Sequence, residues 1–187
     1  LRECPQLQHR GYFKRRIPWK EIVLAELAPT HKPLANLRIL DLTSMWAGPY
    51  CSRLFADLGA EVIKIEAPTR PDGIRKGQNA AAPFLQELNR NKRAITLNLQ
   101  QPQDRVQFEA LVQSADVLIE NFSPRVMENF GYTPEALHRV NERLHITSLS
   151  AFGQTGDYRD YIGYGPTLES FGGIASVTGY GETPWLP

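Results

Sequence analysis

The segment from Leu37 to Pro68 most constrains the fold, because its pattern predicts a strand, a loop, a helix and a second strand. Residues 39–42 are a short apolar run typical of a buried strand, and residues 61–65 are predicted to form the next strand. Between them, Pro49 suits the first position of a helix and Gly59 suits its end, since glycine adopts a positive φ at little cost. Two strands that are connected by a helix are expected to lie parallel to each other, with a right-handed crossover. The loop after the first strand therefore lies at a carboxyl edge, where open α/β sheets bind ligands.

The helix of this unit carries four apolar residues at helical spacing, which predicts one core-facing side: Tyr50, Leu54, Phe55 and Leu58. The loop before it is not a dinucleotide-binding fingerprint, because residues 44–48 contain only one of the glycines that the fingerprint requires. The loop offers backbone N–H groups, the Met45 thioether and the Trp46 ring at a helix N-terminus. This combination suits a ligand with an anionic part and a long apolar or amide-bearing part.

The chain of 187 residues, 42% of them hydrophobic, is long enough for one globular core. Its 21 basic and 20 acidic residues are interspersed, so we expect a small-molecule ligand rather than nucleic acid or a membrane surface. Cys4 and Cys51 are too few and too far apart for a disulfide framework or a metal site, which predicts a reducing, cytoplasmic location. No apolar run in the sequence approaches the roughly 20 residues of a membrane-spanning helix.

Composition divides the chain into two parts. Residues 1–32 are polar and basic and are expected to be the tail of a preceding segment and a linker, whereas residues 33–187 alternate between strand and helix patterns. Further strands are predicted at residues 95–99, 117–119 and 145–149. The alternation predicts an α/β fold, a Rossmann-like and mostly parallel sheet with helices on both faces. Because the sequence begins without a methionine, we expect a larger polypeptide and an incomplete domain.

Proline and threonine mark the helices that follow. Pro102 begins one helix, and its core-facing stripe should be Phe108, Leu111, Val112 and Ala115. Thr133 is the expected N-cap of a short helix that begins at Pro134. Another helix begins at Pro166 and presents one face with Leu168, Phe171 and Ala175. Residues 172–173 inside it are both glycine, which predicts close approach of another backbone or of a ligand.

Several polar residues could carry chemistry or could be structural. Asn121 and Phe122 follow a buried strand, so they either line a ligand path or form an Asn-initiated turn. The turn at residues 91–93 could neutralise a phosphate or be merely solvated. Glu66 lies where a dinucleotide-binding domain keeps its ribose-binding acid. Cys51 is either a nucleophile with a pKa depressed by the helix dipole or a packed thiol, and no histidine suggests a triad or a zinc site.

Four segments together resemble the class III CoA-transferases, the family that includes formyl-CoA and carnitine CoA-transferases. They occur in order and at family-like spacing between Pro33 and Pro184: LDLTSMWAGPYCSRLFADLGAEVIKIEAP, LNRNKRAITLNL, ADVLIENFSPRVMENFGYTPEAL and SLSAFGQTGDYRDYIGYGPTLESFGGIASVTGY. The opening piece CPQLQHRGYF is similar to the C-terminal region of the same family, which implies a tandem protein. The resemblance implies that residues 33–187 are the N-terminal part of the family's large domain, which forms an interlocked homodimer.

By position, the resemblance implies a CoA-binding site made of eight residues: Ser44, Met45, Trp46, Ala47, Leu97, Asn121, Phe122 and Asn129. Coenzyme A and acyl-CoA are then substrates rather than permanent cofactors, and a carboxylic acid is the acceptor. Asn129 and Gln100 stand where some members place an arginine and a lysine. Both differences remove a charge that could pair with a phosphate of the nucleotide.

In the family, an aspartate attacks the acyl-CoA thioester and forms covalent intermediates before the acceptor carboxylate takes CoA. The resemblance places this nucleophile after Pro187, so no catalytic residue is assigned here and the chain alone is predicted to be inactive. The related α-methylacyl-CoA racemases use an acid/base aspartate where this chain has Gly165, which weakens a racemase function. Tyr164 and Glu169 remain possible site-lining residues. The chain could also be a non-catalytic CoA-binding half of a tandem protein or, with less support, a nicotinamide-dependent dehydrogenase.

Overall fold

The structure is a computed structural model that describes residues 32–75, 83–180 and 183–184. Its strands are β1 (Arg38–Asp41), β2 (Glu61–Glu66), β3 (Arg93–Thr96), β4 (Val117–Glu120), β5 (His145–Ser148), β6 (Gly179–Tyr180) and β7 (Thr183–Pro184). Its helices are α1 (Ala47–Asp57), α2 (Pro83–Asn89), α3 (Pro102–Gln113), α4 (Arg125–Asn129), α5 (Pro134–Val140), α6 (Gly165–Phe171) and α7 (Ile174–Val177). A short 3₁₀ turn spans Gly73–Arg75.

Five strands form one sheet in the order β3-β2-β1-β4-β5, and every neighbouring pair is parallel. The predicted α/β architecture with a parallel sheet is therefore confirmed. The chain moves outward from β1 through β2 to β3 and then crosses back to β4 on the other side of β1. The loops after β1 and β4 consequently diverge at a topological switch point, where such sheets leave a crevice.

Each face of the sheet has its own buried apolar cluster, because side chains alternate along the strands. On one face, Leu40 and Leu118 join Phe108 and Val112 of α3, Met127 of α4 and other residues. On the other face, Ile39, Val62 and Ile119 join Ala56 of α1. The prediction of helices on both faces is thus confirmed. None of the helices among the described residues is long and apolar enough to cross a membrane.

The proline and threonine signals located two helices correctly. Pro102 is the first residue of α3, and the predicted stripe is inside, with Phe108 and Val112 fully buried. The Thr133 hydroxyl accepts a hydrogen bond from the Ala136 N–H, as expected of the N-cap of α5. A cap of this kind stabilises a protein by about 1 kcal/mol.

The predicted core-facing side of α1 is wrong in three of its four residues. Tyr50, Leu54 and Leu58 are 43%, 43% and 49% exposed, and only Phe55 packs against the core as a partly buried residue. The buried side instead consists of smaller or polar residues: Gly48, Pro49, Ser52, Arg53 and Ala56. Gly48 permits this close approach, since a Cβ there would lie 2.3 Å from the Cβ of Thr43.

Two further predictions are corrected. The third strand ends at Thr96, and the buried Leu97 and Leu99 that were expected to continue it follow the strand instead. The helix begun near Pro166 ends at Phe171, so residues 172–173 terminate it rather than lie within it. Gly173 has a φ of 78°, and a Cβ there would meet open space, so backbone conformation and not close packing requires this glycine. Leu168 and Phe171 of α6 are 38% and 58% exposed.

Candidate functional site

The crevice at the switch point is built from the loops that follow β1 and β4, and one side chain joins them. The Asn121 amide oxygen accepts a hydrogen bond from the Ser44 N–H, and its NH₂ group donates to the Ser44 carbonyl, both at 2.8 Å. Asn121 thus satisfies both backbone groups of Ser44, as a neighbouring strand would. The sequence predicts both residues at this edge, and the structure brings them into direct contact.

Residues 45–47, which follow Ser44, are exposed to solvent. Met45 has a φ of 67°, a left-handed conformation that costs roughly 1 kcal/mol for a residue with a Cβ. The Trp46 side chain is 65% exposed, and its ring meets that of Phe84 edge-on at a centroid distance of 5.0 Å. Ala47, also exposed, is the first residue of α1. The outer part of the loop therefore presents an aromatic side chain and the start of a helix to solvent.

A buried carboxylate lies directly beneath this loop. Asp41, the last residue of β1, accepts hydrogen bonds from the Thr43 N–H at 2.9 Å, the Thr43 hydroxyl at 2.5 Å and the Ser52 hydroxyl at 2.7 Å. The Lys92 ammonium donates to the same carboxylate at 2.9 Å. Burial raises the pKa of Asp41, but Lys64, Lys92 and the two hydroxyls outweigh it and hold the pKa below its usual value.

A second buried ion pair lies beside the first. The Lys64 ammonium donates to the Thr43 carbonyl at 2.8 Å and to the Asp72 carboxylate at 3.2 Å. The other oxygen of Asp72 accepts from the Met45 N–H at 3.0 Å and from the Ile74 N–H at 3.1 Å. Every oxygen and ammonium of this pair therefore has a partner, which is the condition under which buried charges are tolerated.

Sequence reasoning missed this network of two lysines and two aspartates. A signal was present, because Asp41 and Lys64 interrupt runs that are otherwise apolar, at the positions expected of buried strands. Charged residues in such runs are almost never fully buried unless they are paired. Their presence indicated partners elsewhere, but only the folded arrangement identifies Lys92 and Asp72.

The remaining predicted CoA-binding residues occupy varied environments. Leu97 is buried in the core next to the end of β3, whereas Phe122 packs against the same core while half-exposed. The Phe122 N–H donates to the Glu120 carboxylate at 2.7 Å. Asn129 is exposed on α4, and the possible lining residues Tyr164 and Glu169 are exposed at the start of α6 and within it. Among the described residues, no hydrogen bond joins these last three side chains to the loop after β1.

The turn at residues 91–93 contains one buried cation and one exposed cation. The Lys92 ammonium is enclosed by Asp41, the Pro49 carbonyl and Asn89, each at 2.9 Å. Burial lowers the pKa of Lys92, and Asp41 partly offsets this effect. Arg93 forms an ion pair with Glu61 at 2.9 Å. Lys92 therefore has a structural role, whereas the Arg93 side chain remains 79% exposed.

The contacts and environments of Glu66 and Cys51 favour structural roles for both residues. Glu66 is held by Arg75 through two hydrogen bonds of 2.8 and 2.9 Å and by the Asp72 N–H, so a ribose hydroxyl would have to compete with these partners. Burial and the nearby Asp41 charge raise the pKa of the Cys51 thiol. This shift opposes the helix-dipole effect that a nucleophilic role would need, and it favours the packed thiol.

An open groove of about 800 Å³ lies elsewhere, along the edge strand β5. Its lining includes His138, Arg143, His145 and Gln154. None of the predicted CoA-binding residues contributes to it, so this groove and the crevice at the switch point are separate features.

Comparison with known proteins now decides the family. The model of CoA-transferase family III matches residues 34–186 of the chain. The chain belongs to CoA-transferase family III. The family resemblance inferred from the four segments is thereby confirmed.

Family III relatives include the succinyl-CoA–D-citramalate CoA-transferase of Chloroflexus aurantiacus, 41% identical over 160 residues. Another is the formyl-CoA:oxalate CoA-transferase of Rhodopseudomonas palustris, 39% identical over 160 residues. These alignments cover 82% and 83% of the chain but 39% and 37% of the two relatives. The chain thus spans about two fifths of the length of the curated relatives it matches.

Solved structures agree with the family III assignment. The chain is similar to the hypothetical protein Rv3272 of Mycobacterium tuberculosis, with a TM-score of 0.74, 32% identity and coverage of 83% of this chain and 43% of that one. A CAIB/BAIF family protein from Brucella suis gives a TM-score of 0.73 at 31% identity, covering 81% and 42% of the respective chains. These similarities confirm the α/β fold.

Proposed function

We propose that this chain forms the CoA-binding part of an enzyme that transfers coenzyme A from an acyl-CoA donor to a carboxylic acid. Membership in CoA-transferase family III supports this proposal. The names of two relatives describe the same kind of exchange, with succinyl-CoA or formyl-CoA as the donor and D-citramalate or oxalate as the acceptor.

The observation that carries the proposal is the double hydrogen bond between Asn121 and the Ser44 backbone. It fixes the two loops of the switch-point crevice relative to each other, and such crevices bind ligands in open α/β sheets. CoA would lie over these loops, with its apolar or amide-bearing part against Trp46 and Phe122. The other proposed contacts are Met45, Ala47, Leu97 and Asn129, with Tyr164 and Glu169 as possible lining residues.

The start of α1 adds a suitable feature for an anionic group. Trp46, the N-cap residue, makes no side-chain cap, and the first turn contains no acidic residue. The N–H groups at the start of this helix and the helix dipole therefore favour a phosphate or a developing anion. They would compensate in part for the lysine and arginine that some family members have where this chain has Gln100 and Asn129.

The proposed reaction uses an aspartate nucleophile located beyond Pro187. Its carboxylate attacks the thioester carbon of the acyl-CoA and expels the CoA thiolate, which leaves a mixed anhydride. The thiolate then attacks the aspartyl carbonyl, releases the donor carboxylate and forms an enzyme–CoA thioester. The acceptor carboxylate repeats the two steps in reverse, leaves as its CoA thioester and restores the aspartate. A partner copy that lacks this aspartate would bind CoA without catalysis.

Isothermal titration with CoA tests the proposed site in the wild type, Trp46→Ala and Asn121→Ala. We expect the wild type to bind CoA and each substitution to weaken binding by about tenfold, the effect of losing one good contact. Val106→Ala is the matched control, because Val106 is 69% exposed on α3, away from the crevice. Equal affinities in all four proteins would place CoA elsewhere, and wild-type binding of NAD without CoA would refute the family function.

A further inference from the structure

The segment between β2 and the 3₁₀ turn, residues 67–72, runs beside the loop after β1. Its last residue, Asp72, is fully buried and contacts that loop directly through the Met45 N–H at 3.0 Å. The same carboxylate is paired with Lys64, whose ammonium also binds the Thr43 carbonyl at 2.8 Å. One ion pair therefore holds the backbone on both sides of Ser44.

The two sides of the loop are fixed by different parts of the sheet. Asn121, which follows β4, binds both backbone groups of Ser44. Lys64 and Asp72, which belong to β2 and the segment after it, bind Thr43 and Met45. The loop backbone is thus clamped between two neighbours of β1 over three consecutive residues.

The backbone conformation of Met45 depends on these contacts. Its left-handed backbone, with a φ of 67°, is unfavourable for a residue with a side chain and persists only when the surroundings hold it. The Met45 sulfur also lies against Gly73, where a Cβ would be only 2.4 Å from it. Gly73 has no positive φ, so its small size serves this contact rather than its backbone conformation.

We propose that Asp72 is a positioning residue for the CoA-binding loop. Through the Met45 N–H and through Lys64, it keeps Met45 left-handed and so directs the backbone of Met45 and Trp46 toward the ligand. Gly73 supports the same arrangement by making room for the Met45 thioether. This inference rests on the proposed function, since it concerns the loop to which CoA is assigned.

Hydrogen exchange measured by mass spectrometry, together with CoA titration, tests the role of Asp72. In Asp72→Ala, we expect the rate of amide exchange across residues 43–47 to rise by about tenfold or more, because a hydrogen bond to a charged group is lost. We expect the affinity for CoA to fall by about the same factor. Asn141→Ala is the control for general destabilisation. Asn141 is buried and donates to the Val112 and Ala115 carbonyls, before β5 and away from the loop.

Gly73→Ala tests the same inference if Asp72→Ala does not fold. Since the obstacle is a flexible thioether, this variant should fold, displace Met45, and show faster loop exchange than Asn141→Ala. If Asp72→Ala folds and its loop exchange matches that of Asn141→Ala, the inference is overturned. If Asp72→Ala does not fold, the same comparison is made with Gly73→Ala. Failure of the wild type to bind CoA would refute the proposed function, while the exchange data would separately decide whether Asp72 positions the loop.

Discussion

Replacing Asn121 with alanine should break the link between the two loops of the crevice. The resulting loss in the free energy of unfolding follows from two contacts. The Asn121 amide makes two hydrogen bonds of 2.8 Å to the partly buried backbone of Ser44. Each such bond contributes about 1 kcal/mol to stability. We therefore expect Asn121→Ala to lower the free energy of unfolding by about 2 kcal/mol, with little loss of apolar burial.

Urea unfolding followed by circular dichroism measures this loss. With a slope of about 2 kcal/mol per molar urea, the midpoint should fall by about 1 M. Ser123→Ala is a matched control, because Ser123 is an exposed residue of the same loop, and it should change stability by less than about 0.5 kcal/mol. Asn121→Asp keeps an acceptor for the Ser44 N–H but places an oxygen against the Ser44 carbonyl.

The aspartate variant makes the test specific for the amide. At neutral pH, we expect Asn121→Asp to be at least as destabilised as Asn121→Ala, because its second oxygen repels the Ser44 carbonyl where the NH₂ group donated. A loss in Asn121→Ala no larger than that of Ser123→Ala would refute the argument. The two loops would then be held together by contacts other than this amide.

Three further predictions concern Lys92, Glu120 and Thr133. Lys92→Met leaves the buried Asp41 without its nearest cation and should cost about 3 kcal/mol or more in urea unfolding. The control Arg90→Met removes an exposed ion pair and should change stability much less. Burial raises the pKa of Glu120, so its ionisation destabilises the fold as pH rises through that pKa. Glu120→Gln should thus be more stable than wild type at pH 7, and the difference should vanish in unfolding series below about pH 4. Thr133→Ala should lower the thermal unfolding free energy by about 1 kcal/mol through loss of the α5 cap, and no change would contradict the cap.

Much of the fold could be predicted because its signals are local. A buried strand, a helix-initiating proline and a capping threonine each act within a few residues, and Pro102 and Thr133 lie where expected. Parallel pairing then followed from the helix between strands. The edge that carries Ser44 and Asn121 was likewise predictable, because it depends only on the order of strands and not on side-chain detail.

The buried charges could not be located in the same way. Asp41 pairs with Lys92, 51 positions further along, and Lys64 reaches back 21 positions to the Thr43 carbonyl. Such partners are set by the register between strands and by the path of the segment after β2. A single sequence contains the charges but not these distances. Asp72 could therefore not be distinguished from the other polar residues of the long connection after β2.

The same network explains why the face of α1 was assigned incorrectly. Asp41 points to the α1 side of the sheet, and the Ser52 hydroxyl of that helix is one of its donors at 2.7 Å. A helix that must deliver Ser52 to a carboxylate and bring Gly48 against Thr43 turns its polar and small residues inward. Its apolar residues then lie on the opposite side of the helix and are exposed. Helical periodicity correctly predicted a helix, but the direction of burial was decided by a charge on the neighbouring strand.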